Sequence, residues 1–389
     1  MAYVPGPVPQ DAELLATYLI NELHRIAAGI DTVNDVLGLS KTYKVPIKPY
    51  DGQIAYADGV YWNPGNGQGL YQYNGIGWSS VNNANKNYII NGKFDIAQRA
   101  TSQTATGYGS LDRWGFVVTG TTQSVTRGTL TFGQNTIPDG HPTHYVQVVT
   151  TSVAGANNYA IMYQKVEGVE TLSNGKVTLT FWAYTTVAKN ICIEFVQSFG
   201  TTGSPSASVT SIGVTTIPLT TTWKKYTVTA SIPSVNGKTI GTDNNDSFQV
   251  LFWLDAGSTY NSRTNSLGQQ SGTFGFTSVK LEEGSAATGW DERTPQEELT
   301  LCERYYQKHL QVLISGYNAA GGAMYGDFSY NTTMRAAPTP AYSNQNYGNS
   351  SAYASNGSAI YPSHIRLQAT VTAAGAAWAA ADISLEAEI

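Results

Sequence analysis

The chain has 389 residues, which is enough for about two to four domains that each bury a core of their own. Only 13% of the residues are charged, while 39 glycines, 25 tyrosines and abundant Ser, Thr and Asn are typical of turn-rich β-structure and exclude a disordered chain. A net charge of −5 without a basic run argues against a nucleic-acid partner, and no stretch approaches the roughly 20 apolar residues that insert into a membrane.

Residues 1–40 are predicted to form a proline-containing arm and then a helix whose apolar residues follow a heptad pattern. The residues of this seam are Leu19, Leu23, Ile26, Ile30, Val33 and Leu37. Spacings of four and three residues are typical of a coiled coil, and β-branched residues in both seam positions favour three strands. The alternative is an amphipathic helix that packs on its own chain. Because a loop follows the segment, we predict self-association as a trimer.

The next two segments are predicted to be β-structure. Residues 41–84 contain short aromatic stretches separated by Asp58-Gly59 and by Asn74-Gly75, which are hairpin turn sequences, and indicate a small β-module. Residues 85–293 contain alternating apolar patterns at 177–183, 191–195 and 248–254, broken by Gly, Ser, Asn and Pro and without intervening helices. This pattern predicts an antiparallel β-sandwich of the jelly-roll kind.

Residues 294–389 are predicted to contain a short helix followed by a C-terminal β-domain. Thr294 can cap the helix, and Pro295 suits its first turn. Alternation resumes at Leu310, and we interpret the Ala-rich stretch 373–381 as loop or strand. The two cysteines are expected to be buried free thiols. The fold class predicted for the whole chain is therefore mainly β, with an N-terminal α-helical coiled coil followed by antiparallel β-sandwich (jelly-roll) domains, in a trimer.

Five strings of the sequence resemble bacteriophage virion proteins. The opening "YVPGPVPQDAELLATYLINELHRI" resembles the particle-docking N-terminus of tail-fibre proteins, and "DGQIAYADGVYWNPGNGQGLYQYNGIGWSSV" resembles a small module of phage structural proteins. The strings "YIINGKFDIAQRAT…YGSLDRWGF" and "VKLEEGSAATGWDERTPQEELTLCERYYQK" resemble the start and end of a carbohydrate-binding-module-like jelly roll in phage tail proteins. "FSYNTTMRAAPTP" resembles the distal β-domain that often follows.

The resemblance implies a structural virion component, usually trimeric, that anchors a fibre or attaches the particle to its host. Its expected partners are copies of itself, other tail or adaptor proteins through the N-terminal arm, and host surface polysaccharide. The expected location is the virion tail, after assembly in the host cytoplasm. Two alternatives stay open, which are a glycan-degrading tail enzyme (depolymerase) and a head-attached fibre or decoration protein.

The candidate glycan-binding residues are aromatic side chains on the strand phase opposite the core. Trp182 and Tyr184 alternate with the apolar residues of 177–183, and Trp253 alternates with those of 248–254. If these strands share one sheet, its outer face carries a platform on which sugars can stack, with Gln249 and Asn190 as hydrogen-bonding neighbours. The more common reason for such a face is packing against another domain or subunit, where aromatic residues are also enriched.

Signatures of catalysis and of metal binding are weak, so we predict no catalytic residue, no enzyme activity, no metal ligand and no cofactor. The acidic neighbours Glu282-Glu283 and Asp291-Glu292 are carboxylate pairs by type, but neighbours on a strand point to opposite faces. The turn 243–246 (DNND) could supply oxygen ligands for a structural Ca²⁺, although Asp and Asn favour turns without any ion. His141 and His144, in a loop without a nearby cysteine, make a poor metal site.

Overall fold

The computed structural model describes residues 14, 17–25, 41–64, 68–73, 75, 77–81, 86–352 and 354–389. The chain divides into two compact units. The first comprises Met1–Ala84 with Glu283–Thr288, and the second comprises Asn85–Glu282 with Gly289–Ile389.

The described helix of the first unit covers part of the predicted coiled coil. Residues 17–25 are helical, and the seam residues Leu19 and Leu23 are 51% and 62% exposed. The other four seam residues, Ile26, Ile30, Val33 and Leu37, lie outside the described residues. The coiled coil and the trimer therefore stay predictions.

The first unit also contains a four-stranded sheet in the order β1-β2-β3-β4. Its strands are β1 (Lys41–Thr42), β2 (Ile54–Ala57), β3 (Gly69–Tyr73) and β4 (Trp78–Ser80). Ala57, Trp62, Tyr71 and Trp78 form its core.

The expected hairpin between β3 and β4 is present. The one expected at Asp58-Gly59 is wrong, because β2 pairs with β3 and the Asp58 carboxylate instead accepts hydrogen bonds from the backbone of Tyr61 and Trp62.

The second unit begins with an antiparallel β-sandwich of two sheets. Their order is β13-β10-β15-β8-β7-β5 in the six-stranded sheet and β12-β11-β14-β9-β6 in the five-stranded sheet. The strands are β5 (Ser102–Gln103), β6 (Gly115–Thr119), β7 (Thr122–Thr129), β8 (His144–Thr151), β9 (Tyr159–Glu167), β10 (Lys176–Thr185), β11 (Lys189–Ser198), β12 (Val209–Leu219), β13 (Lys224–Ser231), β14 (Ser247–Ala256) and β15 (Gly272–Glu283).

Alternation along the strands builds the core between the two sheets. Val177, Leu179 and Phe181 of β10 face Val250 and Phe252 of β14 across one cluster, and all five side chains are buried. Burying each such side chain contributes about 1.5–3 kcal/mol relative to leaving it exposed. The three sequence patterns that predicted strands are confirmed as β10, β11 and β14.

Helices in the described part of the second unit are short. A 3-10 turn (Ser258–Tyr260) leads into α1 (Asn261–Thr264), and α2 spans Pro295–Glu303. The predicted cap of α2 is confirmed. The Thr294 side chain accepts a hydrogen bond from the backbone of Glu297, whose carboxylate in turn accepts one from the Thr294 backbone, which is a capping box.

The C-terminal part of the second unit contains two three-stranded antiparallel sheets, ordered β16-β21-β18 and β17-β20-β19. The strands are β16 (Tyr306–Asn318), β17 (Ala323–Ser329), β18 (Thr339–Gly348), β19 (Ala354–Ile360), β20 (His364–Thr370) and β21 (Gly375–Glu386). The Ala-rich stretch that could be loop or strand is strand, because β21 lies between β16 and β18. Its alanines at 377, 379 and 381 are buried in the core of these sheets.

A buried charge network joins the C-terminal residues to the sandwich. The Glu388 carboxylate pairs with Arg113 and lies 3.3 Å from Arg99. Tyr305 lies over the Arg113 guanidinium and Tyr306 over that of Arg99, at 3.4 and 3.8 Å from the ring centroids. Arg99 and Arg113 belong to the string that resembles the start of a jelly roll, and the two tyrosines belong to the string that resembles its end. These two strings therefore contact each other at this network.

Both cysteines, Cys192 and Cys302, are buried free thiols, as expected, and burial raises the pKa of each. Among the described residues, no helix is both long enough and apolar enough to cross a membrane.

Candidate functional site

The predicted aromatic residues do not share one sheet. Trp182 and Tyr184 lie on β10 in the six-stranded sheet, whereas Trp253 and Gln249 lie on β14 in the five-stranded sheet. Alternation fixes which side of a strand a residue occupies, but it does not determine which strand becomes its neighbour. The joint platform expected from the sequence is therefore wrong.

Trp253 is covered by residues 258–264 and is 1% exposed. The 3-10 turn and α1 cover this side of the five-stranded sheet, and the Tyr260 ring lies 5.1 Å from the indole. The indole nitrogen donates to the fully buried Glu194 carboxylate at 2.8 Å, and Arg263 forms two hydrogen bonds to the same carboxylate. Trp253 thus closes a structural network and offers no face to a ligand.

Tyr184 meets two aromatic rings that the sequence did not point to. Its ring centroid lies 4.5 Å from that of Trp223 and 6.1 Å from that of Tyr145, and Tyr145 lies 5.5 Å from Trp223. All three side chains are half-buried. We call these three residues, together with Gln147 and Thr126, the aromatic face of the six-stranded sheet.

Glycines in neighbouring strands leave room for the rings to lie on the sheet. Gly128 pairs directly with Tyr145 across β7 and β8, and Gly275 on β15 lies beneath the Tyr184 ring. A Cβ atom at either glycine would overlap the ring. Glycine within a strand commonly marks such a close approach. The two tyrosines are therefore held by backbone as well as by each other.

Polar groups lie beside the rings. Gln147 on β8 lies directly opposite Thr126 on β7 and opposite Gly275 on β15. Its amide therefore lies close to the Tyr184 ring, which covers Gly275. Its nitrogen donates weakly to the Tyr184 hydroxyl at 3.4 Å. Thr126 is exposed. Burial, and to a smaller extent a hydrogen bond with Tyr184, raises the pKa of Tyr145 above its usual value.

Trp182, the other predicted residue on β10, has a structural partner. Its indole nitrogen donates to the Asp139 carboxylate at 2.9 Å, and Lys225 forms an ion pair with the same carboxylate at 2.6 Å. The loop that carries Asp139 is anchored by Ile137, which is fully buried, and by Ser278, whose hydroxyl donates to the Asp139 carbonyl. Trp182 therefore borders the aromatic face, with its polar atom already engaged.

The aromatic face combines apolar ring surface with hydroxyl and amide groups and has no charged member. Sugars present C–H groups on the faces of their rings and hydroxyls at the edges, and binding sites pair apolar walls with a few placed polar groups. An anion or a cation would find no opposite charge among the five residues. The arrangement is suited to a neutral saccharide.

The acidic turn considered for Ca²⁺ is occupied by protein donors. The Asp243 carboxylate accepts hydrogen bonds from Thr201, from the Thr202 backbone and from the Asn245 backbone. These bonds, with the Thr201 side chain as the largest contribution, lower the Asp243 pKa to about 2. Asp246 accepts a hydrogen bond from the Val169 backbone at 2.7 Å. Within the described residues, no group of three His, Cys, Asp or Glu is arranged to hold a metal ion.

Three of the four carboxylates considered for glycan hydrolysis have a partner within the second unit. Glu282 is buried and lies 3.1 Å from Lys280. Asp291 accepts a hydrogen bond from the Asn87 backbone, and Glu292 lies 2.9 Å from Lys93. These contacts give the three carboxylates structural roles.

Two residues of the aromatic face are recognisable from a pattern in the sequence. Tyr145 and Gln147 alternate with the buried Val146 and Val148 of β8, so their outward phase is readable once that strand is recognised. Trp223 lies in the turn between β12 and β13, where no periodicity applies. Its place beside Tyr184 follows from the pairing of β10 with β13, which is a long-range contact.

No protein-family model matches the sequence, and no curated protein matches it. Solved structures that are similar to part of the chain include a family 4 carbohydrate-binding module (14% identity, covering 50% of this chain and 97% of that one, TM-score 0.29). The family 11 module of a cellulosomal cellulase of Clostridium thermocellum is similar at 12% identity, covering 48% and 96%, with a TM-score of 0.30.

A third similar structure is the enzymatically active domain of tailspike protein 4 of bacteriophage CBA120. It is 16% identical, with 51% of this chain and 21% of that chain covered and a TM-score of 0.30. At these identities and TM-scores, what those proteins bind or do is not transferred to this chain.

Proposed function

We propose that this protein is a structural component of a bacteriophage particle, a trimeric tail fibre or fibre adaptor that attaches the particle to its host and binds a surface glycan weakly. The single observation that carries the glycan-binding part is the aromatic face, where Tyr145, Tyr184 and Trp223 meet beside Gln147. The virion part is supported by the resemblance of the five sequence strings to phage virion proteins.

Weak individual sites suit a trimer. Three copies of the aromatic face on one particle-bound fibre, and several fibres on one particle, raise the overall avidity without any new contact. Exposed apolar side chains on β16 and β21 support association of copies, since Leu313 is 60% exposed, Tyr317 83% and Trp378 39%. Self-association would remove these side chains from water.

The proposed role is binding without catalysis. The carboxylates considered for hydrolysis in the second unit have cationic or backbone partners, and the aromatic face contains neither a carboxylate nor an imidazole. In this proposal the protein contributes shape and ring surface to attachment.

Binding to immobilised bacterial polysaccharides tests the glycan-binding proposal. The full chain is expected to bind at least one neutral polysaccharide, and Trp223→Ala is expected to weaken that binding by at least tenfold while keeping the melting temperature near that of the parent. Absence of binding to every polysaccharide, or release of reducing ends from one that is bound, would contradict the proposal. Antibody labelling of phage particles, viewed by electron microscopy, tests the virion role and separates tail from head attachment.

A further inference from the structure

The second unit contains a pocket of about 310 Å³ that shares no lining residue with the aromatic face. Three pieces of the second unit form it, which are residues 87–96, the start of β8 at Thr143 and His144, and residues 290–298. Its volume is at the lower end of the roughly 300–1,000 Å³ typical of small-molecule sites. The proposed function does not use this pocket.

The indole of Trp290 gives the pocket an apolar wall. Gly140, with a positive φ of 69°, leaves the space that the indole fills, since a Cβ atom there would lie 2.5 Å from the indole nitrogen. On the other side, the Trp290 ring comes within van der Waals reach of the Cβ position at Gly92. The indole is therefore positioned by backbone on two sides.

An imidazole faces the pocket with one nitrogen available. His144 Nδ1 lies 2.8 Å from Asp95 Oδ1, so the neutral ring carries its proton on Nδ1 and presents a lone pair on Nε2. Among the described residues, neither His144 Nε2 nor Asp95 Oδ2 has a hydrogen-bond partner. Both atoms accept hydrogen bonds, as sugar hydroxyls require.

The charged side chains that line the pocket disfavour an anionic ligand. Lys93 is paired with Glu292 at 2.9 Å, and Arg293 lies within 3.6 Å of Asp291 and 3.4 Å of Glu298. Both cations are neutralised, while the carboxylates outnumber them, so an anionic ligand would meet net repulsion. A metal ion is not favoured either, because no suitable group of three ligands occurs in the described part of the chain.

We propose that this pocket binds a single neutral pyranose ring, which stacks on Trp290 and donates hydroxyl protons to His144 and Asp95. The proposal rests on the proposed function in one respect, which is that the ligand is a saccharide. The pocket also opens toward a shallower depression that shares Asp291, Glu292 and Arg293, so a saccharide that is longer than one ring can continue outward.

Saturation-transfer difference NMR with the full chain tests the proposal. The probes are the methyl glycosides of glucose, galactose, mannose and rhamnose at millimolar concentration, with methyl glucuronide as the anionic counterpart. At least one neutral glycoside is expected to give signals that persist in Trp223→Ala and fall at least tenfold in His144→Ala. Methyl glucuronide is expected to give none.

Signals that disappear in Trp223→Ala and persist in His144→Ala would overturn the pocket and leave the aromatic face as the site. The pocket is also overturned if no neutral glycoside gives a signal, a result that leaves binding of longer chains by the aromatic face untouched. If His144→Ala does not fold, Asp95→Asn replaces it, because the amide keeps the size of the side chain. Retention of full signals in a folded Asp95→Asn would equally contradict the proposal.

Discussion

The ring of Tyr184 on β10 occupies the space above Gly275 on the adjacent strand β15, where a side chain of any size would collide with it. This contact ties the aromatic face to the backbone of the sheet. Gln147 on β8 lies directly opposite Gly275. The absence of a side chain at Gly275 therefore also allows the Gln147 amide to approach the Tyr184 hydroxyl.

Replacing Gly275 by alanine is expected to displace the Tyr184 ring. Overpacking of this kind costs about 1–3 kcal/mol of the free energy of unfolding. Glycan binding should fall by at least tenfold, because the ring no longer lies flat beside Gln147. Denaturant unfolding and polysaccharide binding measure the two effects. Gly289→Ala is the matched control, since a Cβ atom there meets nothing within 4 Å, and it should change neither.

Trp253→Phe tests whether Trp253 stabilises the five-stranded sheet without taking part in glycan binding. The substitution removes the hydrogen bond to the buried Glu194 and leaves a small cavity, for a cost of about 1–3 kcal/mol. The melting temperature should therefore fall. Affinity for a glycan that binds the aromatic face should stay that of the parent, and a tenfold loss of affinity in a folded Trp253→Phe would return this residue to the binding site.

The sequence predicts the strands of the sandwich but not the sheet to which each strand belongs. The strands β10, β11 and β14 are readable because apolar residues recur at every second position along each of them. Sheet membership is not readable, because Trp182 and Trp253 show the same alternation and yet lie in different sheets. The short helical segment that buries Trp253 has only seven residues, too few for a periodic pattern.

The aromatic face shows the same limit. Tyr184 was predicted because it lies on an alternating strand, whereas Trp223 lies in a turn and becomes its neighbour only through the register of β10 against β13. The small β-module shows a different limit. Asp58-Gly59 has the composition of a two-residue hairpin, but the Asp58 side chain closes a local turn with Tyr61 and Trp62.

The trimer is tested at the predicted seam. Ile26→Asp combined with Ile30→Asp places two charges where the seam would pack, so assembly should be lost. Multi-angle light scattering should give the parent three times the 41.7 kDa of one chain, and the double variant one chain. Asn21→Asp, which adds a charge to an exposed position of the same helix, should remain trimeric. An unchanged trimer mass for the double variant would refute the role of the seam.

The charge network at the C-terminal residues predicts a dependence of stability on pH. Burial raises the pKa of Asp112 from 3.8 to about 6, despite the nearby Arg99 and the hydrogen bonds from Gln98. A carboxyl whose pKa is raised in the folded state destabilises the protein while it is ionised. That cost is therefore present above pH 6 and is relieved as the pH falls toward 3.8.

Unfolding by denaturant at pH 7.5 and pH 5 compares the parent with Asp112→Asn. Because one pKa unit corresponds to about 1.4 kcal/mol, the parent should gain about 1–2 kcal/mol relative to the variant on going to the lower pH. The variant supplies the control, since it keeps every other titrating group. A difference in unfolding free energy that does not change with pH would contradict the raised pKa.

The most direct test of glycan binding by the aromatic face is calorimetric titration of an oligosaccharide from a bound polysaccharide into the parent and into Trp223→Ala. Removing the ring that contacts both tyrosines is expected to weaken binding by at least tenfold, which corresponds to about 1.4 kcal/mol or more. The melting temperature of the variant should stay near that of the parent. Equal affinity for the two proteins would contradict the claim that Tyr145, Tyr184 and Trp223 form the binding surface.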